Sequence, residues 1–162
     1  MKKLLLSIAM LASIGVTQAQ TKVSKNTVVG KWSLSAINME GMFYYDIDKD
    51  SLALGETIMT QLTAAGQDSA GAVDMMKGQL GAIKEMGFEF NADGTYKANG
   101  TPQGPESGTF TVDEATETIT MSNKKEDKSD FASSFKDGKL VLNVASNGQM
   151  PKQVLILKPA KD

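Results

Sequence analysis

The chain has 162 residues, 17 Lys+Arg against 19 Asp+Glu, a net charge of −2, no histidine and no cysteine. Those absences remove Ser-His-Asp and Cys-His mechanisms, imidazole zinc sites, thiol nucleophiles and disulfides, and no basic stripe follows a phosphate backbone, so nucleic acid is not an expected partner. The length suits one domain around one core.

Residues 1–19 open with Met1-Lys-Lys3, run through the apolar stretch Leu4 to Val16 and leave through Thr17-Gln-Ala19. A basic start, a short apolar centre and a small-residue exit are the pattern of a secretory signal, too short to span a bilayer. Cleavage after Ala19 would remove 19 of the 162 residues and leave 143, with 15 basic against 19 acidic side chains and a formal charge of −4. With no cysteine to accept a lipid, a soluble periplasmic or secreted product is expected. Residues 20–27 then read as a flexible N-terminus and 28–162 as a single domain.

From Val28 to Asn38 the residues alternate, with Trp32, Leu34 and Ala36 on one face and Lys31, Ser33 and Ser35 on the other. That two-residue period predicts a half-buried strand, and the only tryptophan, on its inward face, closes one end of a small core. Met39-Glu-Gly-Met-Phe-Tyr-Tyr45 follows, two thioethers and three aromatic rings between a strand and a helix. It reads either as an adaptable apolar wall at a barrel mouth or as Phe43 and one tyrosine packed beneath a helical insertion. Met39-x-x-Met42 has a spacing compatible with Cu(I), but copper sites usually recruit histidine or cysteine too, so gap-filling is the expectation.

Asp46-Ile-Asp-Lys-Asp-Ser51 resembles the first half of a helix–loop–helix calcium loop, with Asp46, Asp48 and Asp50 at its first three acidic positions. Ser51 replaces the turn glycine, Thr57 replaces the closing glutamate, and Glu56 is one place off, so no metal is expected. Three acids ahead of a helix N-terminus would instead favour its positive dipole end.

Residues 51–86 predict two amphipathic helices, one through Leu54, Ile58, Leu62 and Ala65, the other through Val73, Met76, Leu80 and Ile83. Asp50 or Ser51 would cap the first and Asp68 or Ser69 the second, with Gly66 and Gly87 at their ends. Gly71, Gly78 and Gly81 weaken the second by up to about 1 kcal/mol each. Six methionines, Met39, Met42, Met59, Met75, Met76 and Met86, fall in this middle part.

After Gly87 the period returns to two. Phe88 and Phe90 share a face, Asn91-Ala-Asp-Gly94 turns the chain into Thr95-Tyr-Lys-Ala98, and Phe110 with Val112 and Ile119 with Met121 alternate with threonines. Phe131 and Phe135 lead through Lys136-Asp-Gly-Lys139 to Leu140, Leu142 and Val144, while Lys124 to Asp130 mixes both charge signs and reads as a solvated loop. Val154 to Leu157 is apolar on both faces, so the last strand is expected to be covered on both sides, next to the first strand or under a helix. About eight strands result, enough for an antiparallel meander to close on itself and lose its edges.

Gly30-Lys-Trp32 resembles the Gly-x-Trp first strand of secreted bacterial lipocalin-like domains, and Phe90-Asn-Ala-Asp-Gly-Thr-Tyr96 is similar to the Phe-x-x-Asp-Gly-x-Tyr hairpin of the same families. The resemblance covers about Val28 to Lys158 and implies a mainly β fold, an eight-stranded lipocalin-like barrel with a two-helix insertion over about 51–86. Eukaryotic lipocalins place their main helix after the barrel, whereas here the helices precede the hairpins and could cap, plug or flank it.

Carboxylate pairs such as Glu85 with Glu89 or Asp113 with Glu117 fall at turns and helix ends, so no catalytic constellation and no cofactor is expected. The expected function is binding of one small apolar or amphipathic molecule, lined by Trp32, Phe43, Tyr44, Phe88, Phe90, Tyr96 and Phe110. Room for it would come from Ala36, Ala98, Ser133 and Ala145. The alternative is a barrel filled with side chains, acting as an accessory protein whose helical insertion meets a partner.

Overall fold

The first strand, β1 (Gly30–Met39), organises everything else, because one of its edges pairs along its length with the last strand and the other edge is shared between two partners. The structure, a computed structural model, describes residues 21–101, 104–124, 127–146 and 151–161. The signal expected in residues 1–19 lies outside the described residues.

Beyond β1 come β2 (Phe43–Asp46), β3 (Ser51–Leu54), β4 (Gly87–Phe90), β5 (Thr95–Asn99), β6 (Glu106–Asp113), β7 (Thr118–Asn123), β8 (Lys128–Lys136), β9 (Lys139–Val144) and β10 (Gln153–Pro159). Each of β4 to β10 pairs antiparallel with the next, β4 pairs with Gly30–Ser33, and β10 pairs with β1 from Trp32 to Met39. Eight strands thus close into a barrel with no free edge. The last strand lies beside the first, one of its two expected places, but it is not covered on both sides: Leu155 and Leu157 are buried while Val154 and Ile156 on the other face are only half-buried. The other two strands form a hairpin that leaves the barrel, β2 pairing with Ala36–Met39.

One irregularity makes this division possible. The register between β1 and β10 slips between Leu34 and Ala36, a bulge centred on Ser35. Past it the faces exchange: Ile37 pairs with the inward Leu155, and Ala36 pairs with Ile156. Simple alternation put Ala36 inside; the extra residue turns it out and brings Ile37 in.

Short hairpins gather at one end of the barrel. Asp137 (φ 51°) and Gly138 (φ 73°) make a two-residue turn with both φ values positive, the geometry whose twist matches paired strands. In the β4–β5 turn the Asp93 carboxylate accepts from Thr95 N at 2.9 Å and Thr95 Oγ1 at 2.7 Å, and Asp113 similarly accepts from Ala115 N and Thr116 N in the β6–β7 turn. This end is sealed by residues 21–29, which are built into the fold rather than flexible: Val23 and Val28 are fully buried. A short helix α1 (Lys25–Val28), held by a Ser24/Thr27 capping box, brings Val28 O to the Trp32 indole N–H at 2.8 Å.

The insertion differs from two helices over 51–86. Ser51–Leu54 is β3, because Leu52 and Leu54 also satisfy a two-residue period and their backbones pair with Tyr45 and Phe43. Helix α2 (Glu56–Ala64) starts after Gly55, and α3 (Ser69–Gln79) is capped by Asp68, which accepts from Ala70 N and Gly71 N at 3.2 Å. Beyond Gln79 the α-helix tightens to a 3-10 helix, Leu80–Glu85, which starts just after Gly78 and contains Gly81, two of the glycines that weaken the segment. Gly87 opens β4 instead of ending a helix. Among the described residues no helix is long and apolar enough to cross a membrane.

Candidate functional site

The two ends of the barrel are built differently. Toward the hairpin end, inward side chains meet and fill the space: Trp32 lies 5.9 Å from Phe135 between ring centroids, Phe90 packs edge-on to Phe110 at 4.9 Å, and Leu140 and Leu157 are fully buried. At the opposite end the strands continue into the longer β5–β6, β7–β8 and β9–β10 connections, and the interior opens into a cavity of about 470 Å³. That volume lies within the range of small-molecule pockets, about 300–1,000 Å³.

Its floor is apolar: Met86, Phe88, Met121, Phe131, Val144 and Leu155. Its rim is polar, made by Thr101, Glu106, Asn123, Asp127, Ser129 and Gln153, with Tyr96 between the two zones. The pattern follows from strand phase. On β6, β7, β8 and β10 the inward positions are apolar toward the hairpin end and polar toward the open end, as in Phe110 to Glu106, Ile119 to Asn123, Phe135 to Ser129, and Leu157 to Gln153. Met86 is held in the wall because Gly100 (φ 66°) lets the chain after β5 press against Glu85 and Met86; a Cβ there would come within 2.6 Å of the Glu85 carbonyl carbon and Met86 N.

Of the seven residues expected to line a ligand, the structure brings only Phe88 and Tyr96 to the cavity. Trp32 is the closure of the opposite end. Phe90 and Phe110 fill the packed half because they lie two inward positions away from the open mouth, and Phe43 is buried in β2 outside the barrel ring. Tyr44 faces solvent, on the outer side of the same hairpin. Of the small residues, Ala98 and Ser133 are buried, the Ser133 hydroxyl donating to Glu117 O at 2.6 Å, but neither lines the cavity, and Ala145 is exposed past the end of β9. The charged run ending at Asp130 is half strand, since β8 starts at Lys128, and Asp127 of that run reaches the cavity rim.

The three acids of the calcium-like stretch point to different partners. Asp46 ends β2, paired with Ser51, and Asp48 and Asp50 occupy the hairpin turn that follows rather than the approach to a helix, with Asp50 at φ 48°. Asp46 pairs with Lys49 at 3.1 Å. Asp50 accepts from Tyr45 Oη at 2.6 Å and from Lys84 at 2.9 Å, with Lys77 at 3.4 Å, which ties the helical insertion to the hairpin. Asp48 accepts from Lys158 and, at 2.6 Å, from the buried Ser35 hydroxyl, and Lys139 stands 3.7 Å away. Met39 and Met42 pack against the core, as gap-filling requires.

These contacts carry a pH signature. The bonds from Lys158 and then Ser35 hold the Asp48 carboxyl below the ordinary carboxylate range. A depressed folded pKa contributes stability that is complete above the unfolded value, about 3.9, and is lost as pH falls through the folded one. Asp48→Asn should therefore lower the melting temperature near neutral pH by about 2–4 °C. In melts taken at successively lower pH the two proteins should converge below about pH 4, and a gap that persists in acid would contradict the assignment.

No family model matches the chain, and no curated protein does. Among solved structures, a DUF4847 family protein from Bacteroides vulgatus ATCC 8482 is similar, with a TM-score of 0.50 and 17% sequence identity over 82% of this chain and 94% of that one. At such identity the likeness concerns the fold: an antiparallel barrel of this kind exists in a solved protein of matching extent.

Proposed function

We propose that the protein is a periplasmic or secreted lipocalin-like binding protein that holds one small apolar or amphipathic molecule in the open half of its barrel. The observation that carries this reading is the division of the interior into a packed half and a cavity of about 470 Å³ with an apolar floor and a polar rim. Binding needs no catalytic step, and the signal-like leader would deliver the protein to the compartment where such a molecule is met. The Gly-x-Trp strand and the Asp-Gly hairpin support the lipocalin-like assignment.

A neutral probe such as N-phenyl-1-naphthylamine should bind with one-to-one stoichiometry and gain fluorescence. Met121→Trp, placing a larger side chain on the floor, should weaken that binding at least about tenfold while the far-UV spectrum stays unchanged. Leu155→Trp gives the same test from the opposite wall. Saturable binding that ignores both substitutions would place the probe elsewhere and contradict the proposal.

A second reading rests on the insertion. Helices α2 and α3 have no fully buried residue, and Met75 is 67% exposed. A partner meeting these helices would make the protein an accessory subunit instead.

A further inference from the structure

The charged groups among the described residues that line the cavity are of one sign. They are the carboxyl side chains of Glu106 and Asp127, and no lysine is among the described lining residues. Tyr96 is 3% exposed, yet its hydroxyl makes no hydrogen bond to another described residue, and it is not sealed away from open space. Facing the cavity, that oxygen is open to bond the donor of an occupant in place of solvent.

Glu106 stands next to it. Its Cα pairs with Ala98, two residues along β5 from Tyr96 and on the same inward phase, and its carboxylate has no ion pair among the described residues. Burial, and secondarily the Glu106 charge, push the Tyr96 phenol up, so the hydroxyl stays protonated at neutral pH. An ionised carboxylate only accepts hydrogen bonds, and a tyrosine oxygen accepts as well as donates. Together with Asp127 and the Ser129 hydroxyl they form a rim rich in acceptors and negative charge. An anionic headgroup would be repelled there; a positive group carrying several N–H donors would be held by charge-assisted bonds.

We propose that the ligand's polar end is a protonated alkylamine, its N–H groups donating to the Glu106 carboxylate and the Tyr96 oxygen while its chain lies against Phe88, Met121 and Leu155. This rests on the binding function above and adds the chemical class.

The test is displacement of bound N-phenyl-1-naphthylamine at about pH 7 by decylamine, decan-1-ol and decanoate, which share a chain and differ in headgroup. Decylamine should displace the probe at concentrations about tenfold lower than decan-1-ol, with decanoate weakest. Glu106→Gln should weaken decylamine about tenfold and leave decan-1-ol within about twofold, and Tyr96→Phe should act in the same direction. If the probe binds normally but decanoate competes as well as decylamine, or Glu106→Gln leaves decylamine unaffected, the headgroup assignment is overturned and the binding function stands. If the probe and all the decyl compounds fail to bind, the binding function itself is overturned.

Discussion

Trp32→Ala should destabilise the protein by about 3–5 kcal/mol, the cost of removing a large buried aromatic from a site that cannot collapse. The indole is 8% exposed, packs 5.9 Å from Phe135, and donates to Val28 O at 2.8 Å. Removing it opens a void at the hairpin end and leaves that carbonyl without its partner. It also frees the segment carrying Val23 and Val28 from the barrel it plugs. Trp32→Phe keeps much of the apolar area but no N–H, so its cost should be about 1–2 kcal/mol. Chemical denaturation measures both, and a Trp32→Ala protein with unchanged stability would mean that this end is not closed by the indole. Because the cavity is at the other end, any folded Trp32→Phe protein should bind the naphthylamine probe as the parent does.

Gly108→Ala is expected to cost about 3 kcal/mol, near the upper end for overpacking because the obstacle is backbone. Gly108 lies in β6 between Tyr96 of β5 and Asn123 of β7. A Cβ built on it would overlap Ser122 O and come within 2.9 Å of Asn123 Cα, neither of which is the movable end of a side chain. The strand would have to separate from β7, and the displaced residues include Glu106 and Asn123 on the cavity rim, so probe affinity should fall along with stability. Gly78→Ala supplies the contrast. It lies in α3 with nothing within 4 Å of an added Cβ, and should be neutral or stabilising by up to about 1 kcal/mol. Thermal unfolding of the two variants side by side separates a steric role from general intolerance of alanine.

The barrel was legible in the chain because its strands obey a two-residue period and its turns carry Asp-Gly pairs where positive φ is needed. Trp32, Phe110, Ile119, Leu140 and Leu157 all face inward as that period dictates. What it hid was local. A single extra residue at Ser35 exchanges Ala36 for Ile37, and no composition signal marks a bulge. Ser51–Leu54 satisfies helical and strand spacing at once, and the acids before it cap a turn rather than a helix.

The site is less legible than the fold because aromatic content does not mark it. In the structure four rings, Trp32, Phe90, Phe110 and Phe135, fill the packed half, only Phe88, Tyr96 and Phe131 reach the cavity, and the cavity lies where inward positions become polar or flexible: Glu106, Asn123, Ser129, Gln153 and the thioethers Met86 and Met121. The signal was present in the sequence as the point along each strand where an inward position stops being apolar. Recognising it required knowing which strand ends share one mouth, and that is set by the β1–β10 closure.

Binding in the open half of the barrel is tested most directly by the methionine methyl spectrum. With ¹³C-methyl methionine and saturating N-phenyl-1-naphthylamine, ring-current shifts should appear at Met86 and Met121, on the cavity floor, and be absent at Met59 and Met75, which are exposed on the helices. Shifts confined to Met59 and Met75, with Met86 and Met121 unmoved, would place the binding surface on the insertion and contradict the account.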